Sequence, residues 1–144
     1  MRAGLFSLLF LLIQCGTDLR RRRVYTLPSM LFLAGGSAWH LLQKDLSPVF
    51  LAAGIGLGGL LALVARLTGE CIGYGDCLVI AALGAVLGAP VLWEVFFTAL
   101  LFAALASLVL LFTGKATRRT RLPFVPFLLA GQLVQLFFSL TEKG

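Results

Sequence analysis

The chain has 144 residues, of which 60% are hydrophobic and 12% charged, with a net charge of +6. Soluble domains carry about 25% charged residues, so a water-facing globular domain, and with it a solvent-facing enzyme core, is excluded. In a soluble protein the positive charge would suggest nucleic acid; here the basic residues sit at the ends of apolar stretches, so they read as topology signals and no nucleic-acid partner is expected.

Six stretches lack Asp, Glu, Lys and Arg: 3–17, 24–43, 46–65, 77–93, 95–114 and 122–141. A spanning helix needs about 20 mostly apolar residues, so the pattern predicts an all-α polytopic membrane protein with six transmembrane helices and a single membrane-embedded domain over 1–144. The first stretch is apolar only over 3–15, which also fits a signal-peptide core. Pro28 falls near the start of the second, where proline is tolerated. The third holds Gly54, Gly56, Gly58 and Gly59, a formal GxGxxG match. No strand precedes it, so close helix packing through small residues is the expected role. Loop three, from Arg66 to Asp76, carries Glu70, Gly73, Tyr74 and Gly75. Ala89-Pro90 is expected to form a tight turn between the fourth and fifth spans. Pro123 and Pro126 open the sixth.

Loops one, three and five share one side of a six-span chain. They hold Arg20, Arg21, Arg22, Arg23, Arg66, Lys115, Arg118, Arg119 and Arg121, against Arg2, Lys44 and Lys143 on the other. The positive-inside rule puts those loops in the cytoplasm and both termini outside. Trp39 and Trp93 then fall at the outer interface, where indole rings favour the headgroup zone. The basic run is also suited to anionic lipid. Cys15, Cys71 and Cys77 form no even disulfide set, and with the one histidine, His40, predicted on the opposite side they offer no zinc site.

Of the acidic residues, Asp45 and Glu142 sit where solvation explains them, and Glu94 suits the start of a helix. Glu70 stays ambiguous. Asp18 closes span one and Asp76 opens span four, at one depth on the cytoplasmic side. Ionisable groups at membrane depth are costly and mark function. Gly73 and Gly75 around Tyr74 give the backbone freedom to leave helical geometry beside Asp76. Two facing carboxylates in a low dielectric share a proton, which is the machinery for activating a water against a peptide carbonyl. The plain structural reading makes Asp18 a partner of Arg21 or Arg22 and Asp76 a helix cap.

Gly73-Tyr74-Gly75-Asp76 matches the GxGD signature. Asp18-Leu19-Arg20-Arg21-Arg22-Arg23-Val24, the run from Ala81 to Gly88, and Pro123-Phe124-Val125-Pro126-Phe127-Leu128-Leu129-Ala130-Gly131 occur in order around it. Together they resemble the type IV prepilin peptidase family over nearly the whole chain. The resemblance implies a membrane aspartic endopeptidase with catalytic Asp18 and Asp76, shaped by Gly73, Gly75, Pro123, Phe124 and Pro126. It implies a prepilin or pilin-like substrate, cut after a glycine on the cytoplasmic face of the bacterial membrane, and no metal or cofactor. The paired Cys-x-x-Cys motifs of the longer members are missing, so a short, peptidase-only form is expected, without methylation. Tyr25-Thr26 and Cys77-Leu78 stand where the family usually has Pro-Asn and Val-Lys. The alternatives are an inactive paralogue, a presenilin-type protease, and a non-enzymatic transport or assembly subunit whose acids bind a cation.

Overall fold

The computed structural model describes the backbone of residues 2–21, 26–43, 47–68, 73–114 and 123–141, and their side chains except 2–3, 17–21, 41 and 43. The described residues form α1 (Arg2–Arg21), α2 (Thr26–Gln43), α3 (Pro48–Leu67), α4 (Tyr74–Phe112) and α5 (Val125–Thr141), and no strand. The expected all-α class holds. Two of these helices, α3 and α4, are long and apolar enough to cross a membrane, and the apolar parts of α1 and α5 are shorter.

The expected fourth and fifth spans are joined in α4, which runs for 39 residues. A straight helix of that length would extend about 58 Å, roughly twice the hydrocarbon thickness of about 30 Å. In place of the expected two-residue turn at Ala89-Pro90 there is one non-helical residue, Gly88, at φ 75° and ψ 167°. That conformation is open essentially to glycine alone. Two residues on, Pro90 has no N–H, so the Val86 carbonyl loses its normal helical donor. His40 of α2 takes over: its Nε2 lies 2.7 Å from Val86 O. A carbonyl only accepts, so Nε2 carries the proton in this pairing.

Helix α4 is the hub, in contact with α1, α2, α3 and α5. Glycines set its closest approach. A Cβ on Gly54 would lie 2.7 Å from Gly84 O, and one on Gly58 would lie 2.5 Å from Ala81 N. Residues 54 and 58 thus meet 84 and 81, which makes α3 antiparallel to the first half of α4. The expected packing role of the third-span glycines holds for Gly54 and Gly58. Gly56 and Gly59 have nothing within 4 Å of a Cβ and face outward.

Helices α1 and α2 are also antiparallel. The Phe10 and Phe32 rings stack with centroids 4.1 Å apart, and Gln14 Nε2 donates to Ser29 Oγ at 2.6 Å. Helix α5 meets α1 through Leu136 at Gly4, and meets α4 where Gly131 lies against the Val95 carbonyl. Leu11, Val79, Ile80, Leu83, Leu92, Val95, Val125 and Leu128 make one buried core drawn from α1, α4 and α5. Around it Phe6, Leu31, Leu63, Val109 and Phe137 are exposed. A belt of exposed large apolar side chains on several helices is a surface for lipid rather than water.

Candidate functional site

Asp76 lies in the first turn of α4, and Gly73 is its N-cap with extended backbone at φ −67° and ψ 129°. The helix begins with Cys77 N donating to Gly73 O at 3.2 Å. Of the two glycines around Tyr74, Gly73 is the one that leaves helical geometry. Gly75, expected to help unwind the turn, is inside the helix, where the ladder that starts at Gly73 already includes it. The Asp76 side chain folds back over the cap: a Cβ on Gly73 would stand 3.2 Å from Asp76 Oδ2. Gly73 thus supplies clearance for a carboxylate, and the glycine's role is space rather than an unusual φ. An acid in the first turn is stabilised by the helix dipole, typically by about 0.3–1 kcal/mol.

Asp76 is half-buried, and the chain turns apolar directly behind it. Cys77 is 1% exposed and Val79 fully buried. The Cys77 thiol therefore fills a small core position. The carboxylate stands at the rim of an apolar bundle, half in contact with it.

Asp18 lies in the last turn of α1, and its side chain is outside the described residues. Its backbone position can still be placed. Ser7, Leu11 and Gln14 are buried on α1, and residue 18 is the next position of that stripe at helical spacing. Cys15, one turn earlier, belongs to the same buried core as Val79 and Ile80, which lie one turn beyond Asp76. α1 packs on α4. The two acids are thus at the ends of helices that leave a common core.

The proline motif packs into that core from α5. Phe124 is half-buried, its ring edge-on to Phe96 at 6.3 Å. Its carbonyl accepts from Phe127 N at 3.0 Å and Leu128 N at 3.1 Å, opening α5. Pro123 and Pro126 are half-buried beside fully buried Val125. The Phe124 ring and Gly131 of this motif meet the second half of α4.

Glu70, Cys71 and the loop residues 22–25 and 115–122 lie outside the described residues. Glu94 is exposed on α4. Among the described residues no three His, Cys, Asp or Glu side chains gather as a metal site. The sequence reading overlooked the buried polar groups. Gln14 is 1% exposed and Gln132 fully buried, and both amide atoms of Gln132 lack a partner among the described residues. Their signal was available as uncharged polar residues inside apolar spans.

Residues 5–112 match the model of the type IV leader peptidase family. A prepilin leader peptidase/N-methyltransferase of Bacillus subtilis (strain 168) is 35% identical over 79 residues, covering 55% of this chain and 32% of that protein. One from Burkholderia pseudomallei (strain K96243) is 44% identical over 70 residues, covering 49% and 23%. One from Xanthomonas campestris pv. campestris is 34% identical over 137 residues, covering 90% of this chain and 47% of that protein. The chain therefore spans from about a quarter to about half the length of these relatives. No solved structure matches it.

Proposed function

The chain belongs to the type IV leader peptidase family, and from that premise we propose that it is a membrane aspartic endopeptidase that removes the leader of a prepilin or pilin-like protein. The observation that carries the reading is Asp76, a half-buried carboxylate in the first turn of α4, folded over a glycine cap at the edge of an apolar core. Asp18, one helical turn beyond buried Cys15, is its proposed partner.

One of the two carboxylates is ionised and the other protonated, because like charges in a low dielectric do not both ionise. The ionised acid takes a proton from a water. The oxygen of that water bonds to the scissile carbonyl carbon, while the protonated acid gives its proton to the carbonyl oxygen. On collapse the C–N bond breaks, the leaving amine takes the proton that the first acid had gained, and a hydroxyl of the intermediate returns its proton to the second acid as the new carboxyl group forms. Neither a metal nor an organic cofactor is needed for these steps.

The proposed setting is a single membrane-embedded unit of six crossings, with α4 supplying two of them on either side of Gly88. Both termini are outside and the acids face the cytoplasm. The charge distribution supports this orientation, since nine of the twelve basic residues fall in the loops assigned to the inner side. The antiparallel pairs α1–α2 and α3–α4 support the alternation of the first four crossings. Gly73, Pro123, Phe124 and Pro126 are proposed to shape the site, Gly73 by clearance and the others by fixing the start of α5. The test is co-expression of the chain with a prepilin-like substrate in bacterial membranes. The parent chain converts the substrate to the shorter form. Failure to cleave any of several pilin-type leaders, with both proteins present in the membrane, overturns the reading.

A further inference from the structure

Gln14 of α1, one turn before Asp18, is a polar side chain that is buried and paired across to another helix. Its amide is 1% exposed, and its Nε2 donates at 2.6 Å to Ser29 Oγ on α2, which is itself fully buried. The surroundings are apolar, with Phe10 stacked on Phe32 one turn away on the same pair of helices. Residues 10, 14 and 18 are spaced by four, so they follow one stripe of α1.

The two contacts constrain α1 differently. Ring stacking is tolerant of small rotations, because dispersion and apolar burial are weakly directional. A hydrogen bond between a planar amide and a hydroxyl loses strength steeply with angle. In a low-dielectric interior the donor also has no water to fall back on. The amide–hydroxyl pair is therefore the more directional of these two contacts between α1 and α2. Residue 18 is one turn further along, near the free end of the helix, where the last carbonyls have no intrahelical donors.

We propose that Gln14, through Ser29, is a positioning residue that fixes the rotation of α1 and so the placement of the Asp18 carboxyl; this rests on the assignment of Asp18 to the reaction. A carboxylate stands about 6 Å from the helix axis, so turning α1 by about 20° sweeps it by about 2 Å. Misplacement of a reacting group by about 1 Å costs on the order of 100-fold in rate. The loss falls on kcat, since neither Gln14 nor Ser29 reaches the rim where a substrate would bind.

The test compares near-isosteric substitutions at Ser29 in membranes, using purified prepilin-like substrate and matched amounts of enzyme. Ser29→Thr keeps the hydroxyl, and Ser29→Val removes it at nearly the same volume. Gln14→Leu removes the amide from the other side. Expected are a kcat for Ser29→Thr within about threefold of the parent, and a kcat for Ser29→Val and Gln14→Leu lowered by about 10-fold or more, with KM little changed. The double variant Gln14→Leu/Ser29→Val is expected to fall no further than either single one, since the pair acts as a unit. Equal kcat for the Thr and Val variants, at equal membrane levels, overturns the proposal while leaving the peptidase reading intact. An inactive parent, or an Asp18→Asn variant as active as the parent, overturns both.

Discussion

Gly58→Ala is expected to push α3 away from α4. The new Cβ would lie 2.5 Å from Ala81 N and Cβ and 2.7 Å from Ala81 Cα. Carbon atoms rest at about 3.5–4.0 Å, so the two helices must separate by about 1 Å. Two of the three obstructing atoms are backbone, and no rotamer change moves them. Overpacking of this kind costs about 1–3 kcal/mol. Alanine regains up to about 1 kcal/mol of helix propensity over glycine. With the full propensity gain the net loss is up to about 2 kcal/mol, or up to about 8 °C in Tm for a chain of this size, and against another Gly→Ala change on the same helix the packing cost of about 1–3 kcal/mol remains. Gly56→Ala is the matched control: nothing lies within 4 Å of its Cβ, so only the propensity gain remains and Tm holds or rises. The assay is thermal unfolding in detergent, followed by maleimide labelling of buried Cys15 and Cys77 in a Cys71→Ser background. Equal Tm for the two alanine variants would refute the packing argument.

Other substitutions separate stability from chemistry. Gly73→Ala fits the backbone at φ −67° but crowds Asp76 Oδ2 at 3.2 Å. Its Tm should stay near that of the parent while leader cleavage slows by about 10-fold or more; unchanged cleavage would show that the clearance is idle. His40→Leu strips the Val86 carbonyl of its donor, and Tm should fall by the equivalent of about 1–3 kcal/mol, with His40→Gln retaining part of the bond and part of the stability. Gly88→Ala forces an L side chain into φ 75°, a strain of about 1–3 kcal/mol, read in the same unfolding assay as a lowered Tm.

Much of the fold was legible because a bilayer leaves so little choice. Charge-free stretches located α1, α2, α3 and α5, and Ala89-Pro90 marked the break in α4 to within two residues. The form of the break was not legible. Proline removes one N–H, but it does not dictate whether the chain makes a loop or turns at a single glycine. That outcome depends on a donor from elsewhere, and His40 lies 46 positions away along the chain. The role of the third-span glycines was partly legible: spacing of four links Gly54 to Gly58, but which face of α3 meets α4 is fixed by the partner. The candidate site shows the same division. The residue types at Asp18, Gly73 and Asp76 are what suggest, from the sequence alone, the chemistry proposed above. That Gly73 provides space, that Gly75 is helical, and that Gln14 reaches Ser29 are consequences of packing between helices.

The central claim is that Asp18 and Asp76 act as one catalytic pair. The most direct measurement is the leader-cleavage rate of Asp18→Asn, Asp76→Asn and the double variant in membranes, at matched protein levels and with matched Tm. Two acids that share one proton and one water fail together, so each single variant should be as inactive as the double. Glu94→Gln, on the exposed face of α4, should cleave at the parent rate. Cleavage that survives either aspartate substitution would contradict the account.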